Sequence, residues 1–102
     1  MMMKLRFITI PAFTHKTVFS SGNLLLDDSE NKLSGDEIQK LLRRHTTGDW
    51  GDVPRTLRQT NQYALEYSNS LLSCYFHPFR GIRMVTVSTS ADRNQTIISV
   101  HA

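Results

Sequence analysis

Hydrophobic positions along the chain change period twice. Strand-like runs open the sequence, two helical stripes follow, and three further strand-like runs close it. The run from Lys4 to Ile10, closed by Pro11, predicts a first strand with Leu5 and Phe7 buried and Ile8 and Ile10 as further candidates. Val18-Phe19 is read as a short strand and Ser20 to Asn23 as a turn. Leu24 to Leu26 is a brief apolar run ahead of the polar stretch Asp27 to Asn31.

Ser34 and Glu37 carry the spacing of a capping box, in which a hydroxyl and a carboxylate satisfy the free amides of a helix start. Ile38, Leu41, Leu42 and His45 then fall at i, i+3, i+4 and i+7, so His45 is expected on the apolar face. Gly48-Asp49-Trp50-Gly51-Asp52 ends that helix: its glycines accept positive φ, and its aspartates accept backbone hydrogen bonds. From Pro54, which suits a first helical turn, to about Tyr67, a second stripe joins Leu57, Asn61, Ala64 and Leu65. Asn61 is thereby placed among apolar neighbours.

Leu71 to Phe76, Ile82 to Ser88 and Gln95 to Val100 read as three strands joined by short polar connections, which favour antiparallel hairpins. The expected class is α+β. Two helices should pack on one face of a mainly antiparallel sheet ending in a three-stranded meander, with the first strand at an edge.

At 102 residues, 39% of them hydrophobic, the chain is expected to form one domain over residues 1–102 with a single core. No apolar run approaches the roughly 20 residues of a membrane span, and Met1 to Pro11 lacks a signal-peptide pattern, so a cytoplasmic protein is expected. Cys74 is the only cysteine, which excludes an internal disulfide and zinc sites built on paired cysteines. Twelve Lys and Arg against nine Asp and Glu make a mild basic excess, below the signature of a dedicated nucleic-acid binder.

The candidate chemistry lies around the glycine-rich bend. His45, Asp49, Trp50, Asp52 and Asn61 are read first as a satisfied polar corner locking the two helices. A ligand or metal centre is the rival reading, with Asp92 completing one imidazole and two carboxylates in a hydrolase. The corner reading carries no cofactor and no metal. Arg93 is expected to pair with Asp49 or Asp52 from the last hairpin. Cys74 alternates away from His77 and is read as a buried thiol. Tyr75, Phe79, Arg80 and Arg83 interleave aromatic and basic groups, a surface suited to single-stranded nucleic acid or a protein partner. Lys40, Arg43 and Arg44 with Arg55 and Arg58 form a second basic group, read as solvated surface.

Arg44-His45-Thr46-Thr47-Gly48-Asp49-Trp50-Gly51-Asp52, followed by Asn61, Ala64-Leu65, Leu71-Leu72-Ser73-x-Tyr75 and Ala91-Asp92-Arg93, resembles a family of small bacterial proteins. Such proteins are common on plasmids, phages and integrative elements. The resemblance runs from about Leu41 to Ile98; Ser90 and the tail Ser99 to Ala102 depart from the family's more acidic pattern. It implies a small accessory protein of a mobile element and brings no catalytic activity with it. The resulting expectation is a non-enzymatic protein that binds a host or element-encoded macromolecule, a protein partner first and nucleic acid second. Oligomeric state stays open.

Overall fold

The fold, taken from a computed structural model, is described for residues 5–9 and 17–101. Elements run β1 (Leu5–Ile8), β2 (Asn23–Asp27), α1 (Gly35–Thr46), α2 (Arg55–Tyr67), β3 (Leu71–Phe76), β4 (Met84–Thr89) and β5 (Gln95–His101). The protein is α+β, with two helices and one mixed five-stranded sheet in the order β1-β2-β5-β4-β3. β2 runs parallel to β5 while every other pairing is antiparallel, so the sheet as a whole is not a simple meander.

The capping box sets the start of α1. Glu37 N–H donates to Ser34 Oγ at 3.1 Å, and Ser34 N–H donates to Glu37 Oε1 at 2.9 Å. Acidic Asp36 and Glu37 in the first turn and basic Arg43 and Arg44 in the last complement the helix dipole. α2 is built differently. Pro54 stands at its N-cap in an extended conformation with no side-chain cap, rather than inside the first turn, and its last turn holds no basic residue. The missing cation comes from the β4–β5 turn. Arg93 donates to the carbonyls of Ala64 at 3.0 Å and Asn69 at 2.6 Å, adding charge-assisted donors at a helix end where Ala64 O already accepts from the amides of Ser68 and Asn69.

Register assigns the sheet's two faces, because paired residues share a side and neighbours along a strand alternate. Leu24 and Leu26, Thr96 and Ile98, Val85, Val87 and Thr89, and Leu71, Ser73 and Tyr75 share one buried face. Ile38, Leu41 and Leu42 of α1 join that face in the main core. Ala64 of α2 joins Trp50, Val53 and Leu71 in a second cluster. The other face carries Phe7, Leu25, Ile97, Leu72, Cys74, Phe76 and Met84.

Three local expectations change. Leu5 and Phe7 are not buried: they pair with Asp27 and Leu25 on the second face, and Phe7 is 75% exposed. Ile8 instead packs against the core from beside Leu24. Lys4, Ile10 and Pro11 lie outside the described residues. Val18-Phe19 forms no strand; Val18 N–H donates to Thr46 O at the end of α1, at 2.8 Å. The fourth strand begins at Met84 rather than Ile82, because Ile82 is buried in the core from the preceding turn.

Candidate functional site

The bend between the helices converges on the outer edge of β3. There the backbone groups of Leu72, Cys74 and Phe76 point away from β4, and each finds a substitute partner. Asn61, buried on α2, uses its whole amide: Nδ2 donates to Leu72 O at 2.7 Å and Oδ1 accepts from Leu72 N–H at 3.1 Å. One residue pair further along, Cys74 N–H donates to Trp50 O and Asp52 N–H donates to Cys74 O, which makes an isolated parallel bridge between Gly51 and Cys74. Phe76 N–H donates to the Asp52 carboxylate at 2.9 Å. The edge is closed along three alternate residues.

That close approach requires glycine at position 51. Its φ is +76°, and a Cβ there would lie 2.3 Å from Cys74 O and 2.4 Å from the Tyr75 ring. Tyr75, wholly buried, donates its hydroxyl to Asp49 O at 2.6 Å, and burial pushes its ionisation above the ordinary range. Arg44 lies over the same ring, 4.3 Å from its centre, and pairs with Asp49 at 2.7 Å. That hydrogen bond holds the Asp49 carboxyl below its usual range, with a further backbone donor from Gly51. Trp50 is buried, stacked on Phe19 and edge-on to His45.

His45 takes a different direction from the aspartates. Its Nδ1 meets Ser73 Oγ at 2.5 Å and its Nε2 meets Thr89 Oγ1 at 2.9 Å. The chain of hydroxyls continues to Thr96 Oγ1 and from there to Ser21 O. With no exposed surface, the imidazole is pushed down to about 3, chiefly by burial and secondarily by the charge of Arg93. A neutral ring with both nitrogens engaged links α1 to β3, β4 and β5.

Of the residues singled out in the sequence, Asp49, Trp50, Asp52 and Asn61 do gather, at a strand edge rather than around a cleft. His45 adjoins Trp50 but faces the sheet. Arg93 does not pair with Asp49 or Asp52, since its guanidinium is spent on the carbonyls of Ala64 and Asn69 at the end of α2 and of Ser90 and Ala91 in its own turn. Asp92 stays in its own turn, accepting from Ser90 Oγ and Asn94 N–H, and these bonds lower its pKa. Among the described residues no group of three or more His, Cys, Asp or Glu is placed to hold a metal ion.

The aromatic hairpin separates in the same way. Tyr75 is core and Phe79 packs against the main cluster, so only Arg80 and Arg83 face solvent. Cys74 is half-buried rather than buried, and burial raises its thiol pKa. Sequence reasoning missed Ser73 and Thr89 as partners of His45, and Thr96 as the next hydroxyl beyond Thr89. Alternation along β3, which puts Ser73 on the side of Leu71 and Tyr75, was the signal that held them. It also missed Asp28, a buried carboxylate that accepts from the amides of Lys32 and Leu33 ahead of α1. No family model, no curated protein and no solved structure matches the chain.

Proposed function

We propose that the protein is a non-enzymatic binding module that docks a protein partner on the face of its sheet turned away from the helix layer. In line with the sequence resemblance, we place it among accessory proteins of mobile elements, with a host or element-encoded partner. The observation that carries the reading is the composition of that face. Phe7, Leu72 and Phe76 are exposed there and Met84, Ile97 and Cys74 half-exposed, with Thr86, Ser88 and Ser99 on the middle strands between them, and among the described residues the carboxylate on this face is Asp27. Large apolar side chains grouped at the margins of a sheet face, with neutral polar residues between them, suit a protein interface. The polar residues with catalytic potential support the same reading, because their donors and acceptors are engaged within the fold.

The test is isolation of the full chain from its own cells at native level, beside Leu72→Lys and Phe76→Lys variants. A partner protein held by the wild type and lost in both variants, at unchanged circular dichroism, is the expected result. Equal recovery from all three chains, or a wild type that holds no protein, overturns the reading.

A further inference from the structure

We infer that α2 is a duplex-DNA-reading helix, with Arg55, Arg58, Gln59 and Gln62 facing the floor of the major groove. The inference stands apart from the protein-docking reading, since it uses the helix layer and not the open face of the sheet. Its starting point is how little of α2 the fold consumes. Nine of its thirteen residues are exposed, and only Asn61 and Ala64 are buried. Arg55, Arg58, Gln59 and Gln62 recur at i, i+3, i+4 and i+7, within an arc of about 100° at 3.6 residues per turn. The same four line one shallow concavity of the surface.

These side chains are uncommitted. Among the described residues none of the four makes a hydrogen bond or an ion pair, whereas Arg44 on α1 is held by Asp49 and Arg93 by four carbonyls. From Val53 to Leu65 the chain contains no acidic residue, and the one acid of α2, Glu66, follows one turn beyond Gln62 on the same side, at the C-terminal end of the helix. Asp49 lies close enough for Arg58 to contribute to its lowered pKa, but its carboxylate is occupied by Arg44, and that of Asp52 by Phe76 N–H.

The residue types select the partner. A bare anion site needs only cations, whereas the pairing of Arg with Gln supplies the two side chains that read purine edges bidentately: Arg on guanine, Gln on adenine. Their span along the helix, roughly 10 Å, fits a major groove about 12 Å wide. The deep, narrow major groove of A-form RNA does not admit a helix. Asn61 and Ala64 fix α2 against β3, so the stripe is presented on a rigid support.

The experiment is fluorescence anisotropy of the full chain with a labelled random-sequence DNA duplex at low salt, with single-stranded DNA, double-stranded RNA and polyglutamate as parallel ligands. Duplex DNA is expected to bind tightest, with affinity falling steeply as salt rises. Arg55→Ala with Arg58→Ala should weaken binding to a duplex selected from a randomised library at least tenfold, by loss of the guanine contacts. Gln59→Ala with Gln62→Ala should leave random-duplex binding within about threefold and abolish the preference for a duplex selected from a randomised library. All four positions are solvent-facing, and an unchanged thermal melt verifies the fold. The inference is overturned if duplex DNA does not bind, if the arginine variant binds as the wild type does, or if RNA, single strands or polyglutamate bind as well as the duplex. Leu72→Lys and Phe76→Lys should leave DNA binding intact, which separates this outcome from the protein-docking reading.

Discussion

Acidification should weaken the fold through His45 before any carboxylate is fully protonated. The unfolded imidazole titrates near 6.5 and the folded one at about 3, so the folded state holds it neutral where the unfolded chain binds a proton. The contribution is therefore complete above about pH 6.5 and is lost progressively as pH falls to about 3. At 1.36 kcal/mol per tenfold, the whole loss is about 5 kcal/mol, and about 2 kcal/mol of it falls between pH 7 and pH 5. The physical source is a fully buried ring between two hydroxyls, where a charged imidazolium would lose its hydration and face Arg93. Urea titrations followed by Trp50 fluorescence at pH 7 and pH 5 measure the effect, because Trp50 is buried against His45 and Phe19. In His45→Gln, which keeps a hydrogen-bonding side chain but cannot titrate, the drop between the two pH values should shrink by about 2 kcal/mol. Contributions common to the two chains cancel in this difference. An unchanged pH dependence in the variant, or an NMR titration placing the His45 ring near 6.5, would refute the reasoning.

Three further substitutions test the edge and the helix ends. Asn61→Leu leaves the part-buried N–H and C=O of Leu72 without protein partners, at about 1 kcal/mol each, the low end of the range for unsatisfied groups; chemical denaturation should show a loss of about 2 kcal/mol, with Leu72 amide exchange rising more than that of β4. Gly51→Ala combines a positive φ with a backbone clash, costing about 2–5 kcal/mol, whereas Gly48→Ala, where φ is +89° but nothing lies within 4 Å of the added carbon, should cost only about 1–2 kcal/mol in the same assay. Equal losses at the two glycines would remove the close approach from the account. Arg93→Leu should lower stability by about 1.5–3 kcal/mol through its charge-assisted bonds, and hydrogen exchange should place the added fraying in the last turn of α2.

Local signals carried the helices and much of the sheet. The Ser34/Glu37 box and the stripe through Ile38, Leu41, Leu42 and His45 located α1, and β3 was legible to the residue because its alternation of buried and exposed positions is strict. The face of β1 was not legible. Leu5 and Phe7 are its more apolar alternate pair, yet pairing with β2 turns Arg6 and Ile8 toward the core side, and register of this kind depends on a partner strand. The β2–β5 pairing joins segments some seventy residues apart in sequence, beyond any local pattern. Burial of His45 and Asn61 followed from their helical positions, but their partners did not. Those of His45 lie 28 and 44 residues away, and the partner of Asn61 is the backbone of Leu72, which residue type does not encode. Two of the aromatic residues set beside arginines in the β3–β4 hairpin, Tyr75 and Phe79, were claimed by the core.

The most distinctive motif of the sequence is thus spent on a strand edge. An open edge offers unpaired amides to any other strand, and proteins close such edges with bulges, charges or covering loops. Here the Gly48-to-Asp52 bend supplies a short backbone bridge and a carboxylate, and Asn61 supplies an amide that pairs as another peptide would. A ligand entering this corner would have to displace bonds that already engage its amide and carboxylates, so recognition falls to side chains the fold leaves unspent. α2 supplies both kinds: Asn61 and Ala64 bind it to the sheet, and its outward arginines and glutamines remain uncommitted. Fastened at those two positions, the helix loses little backbone freedom when a partner engages its outer side, and a smaller ordering cost leaves more of each contact as net affinity.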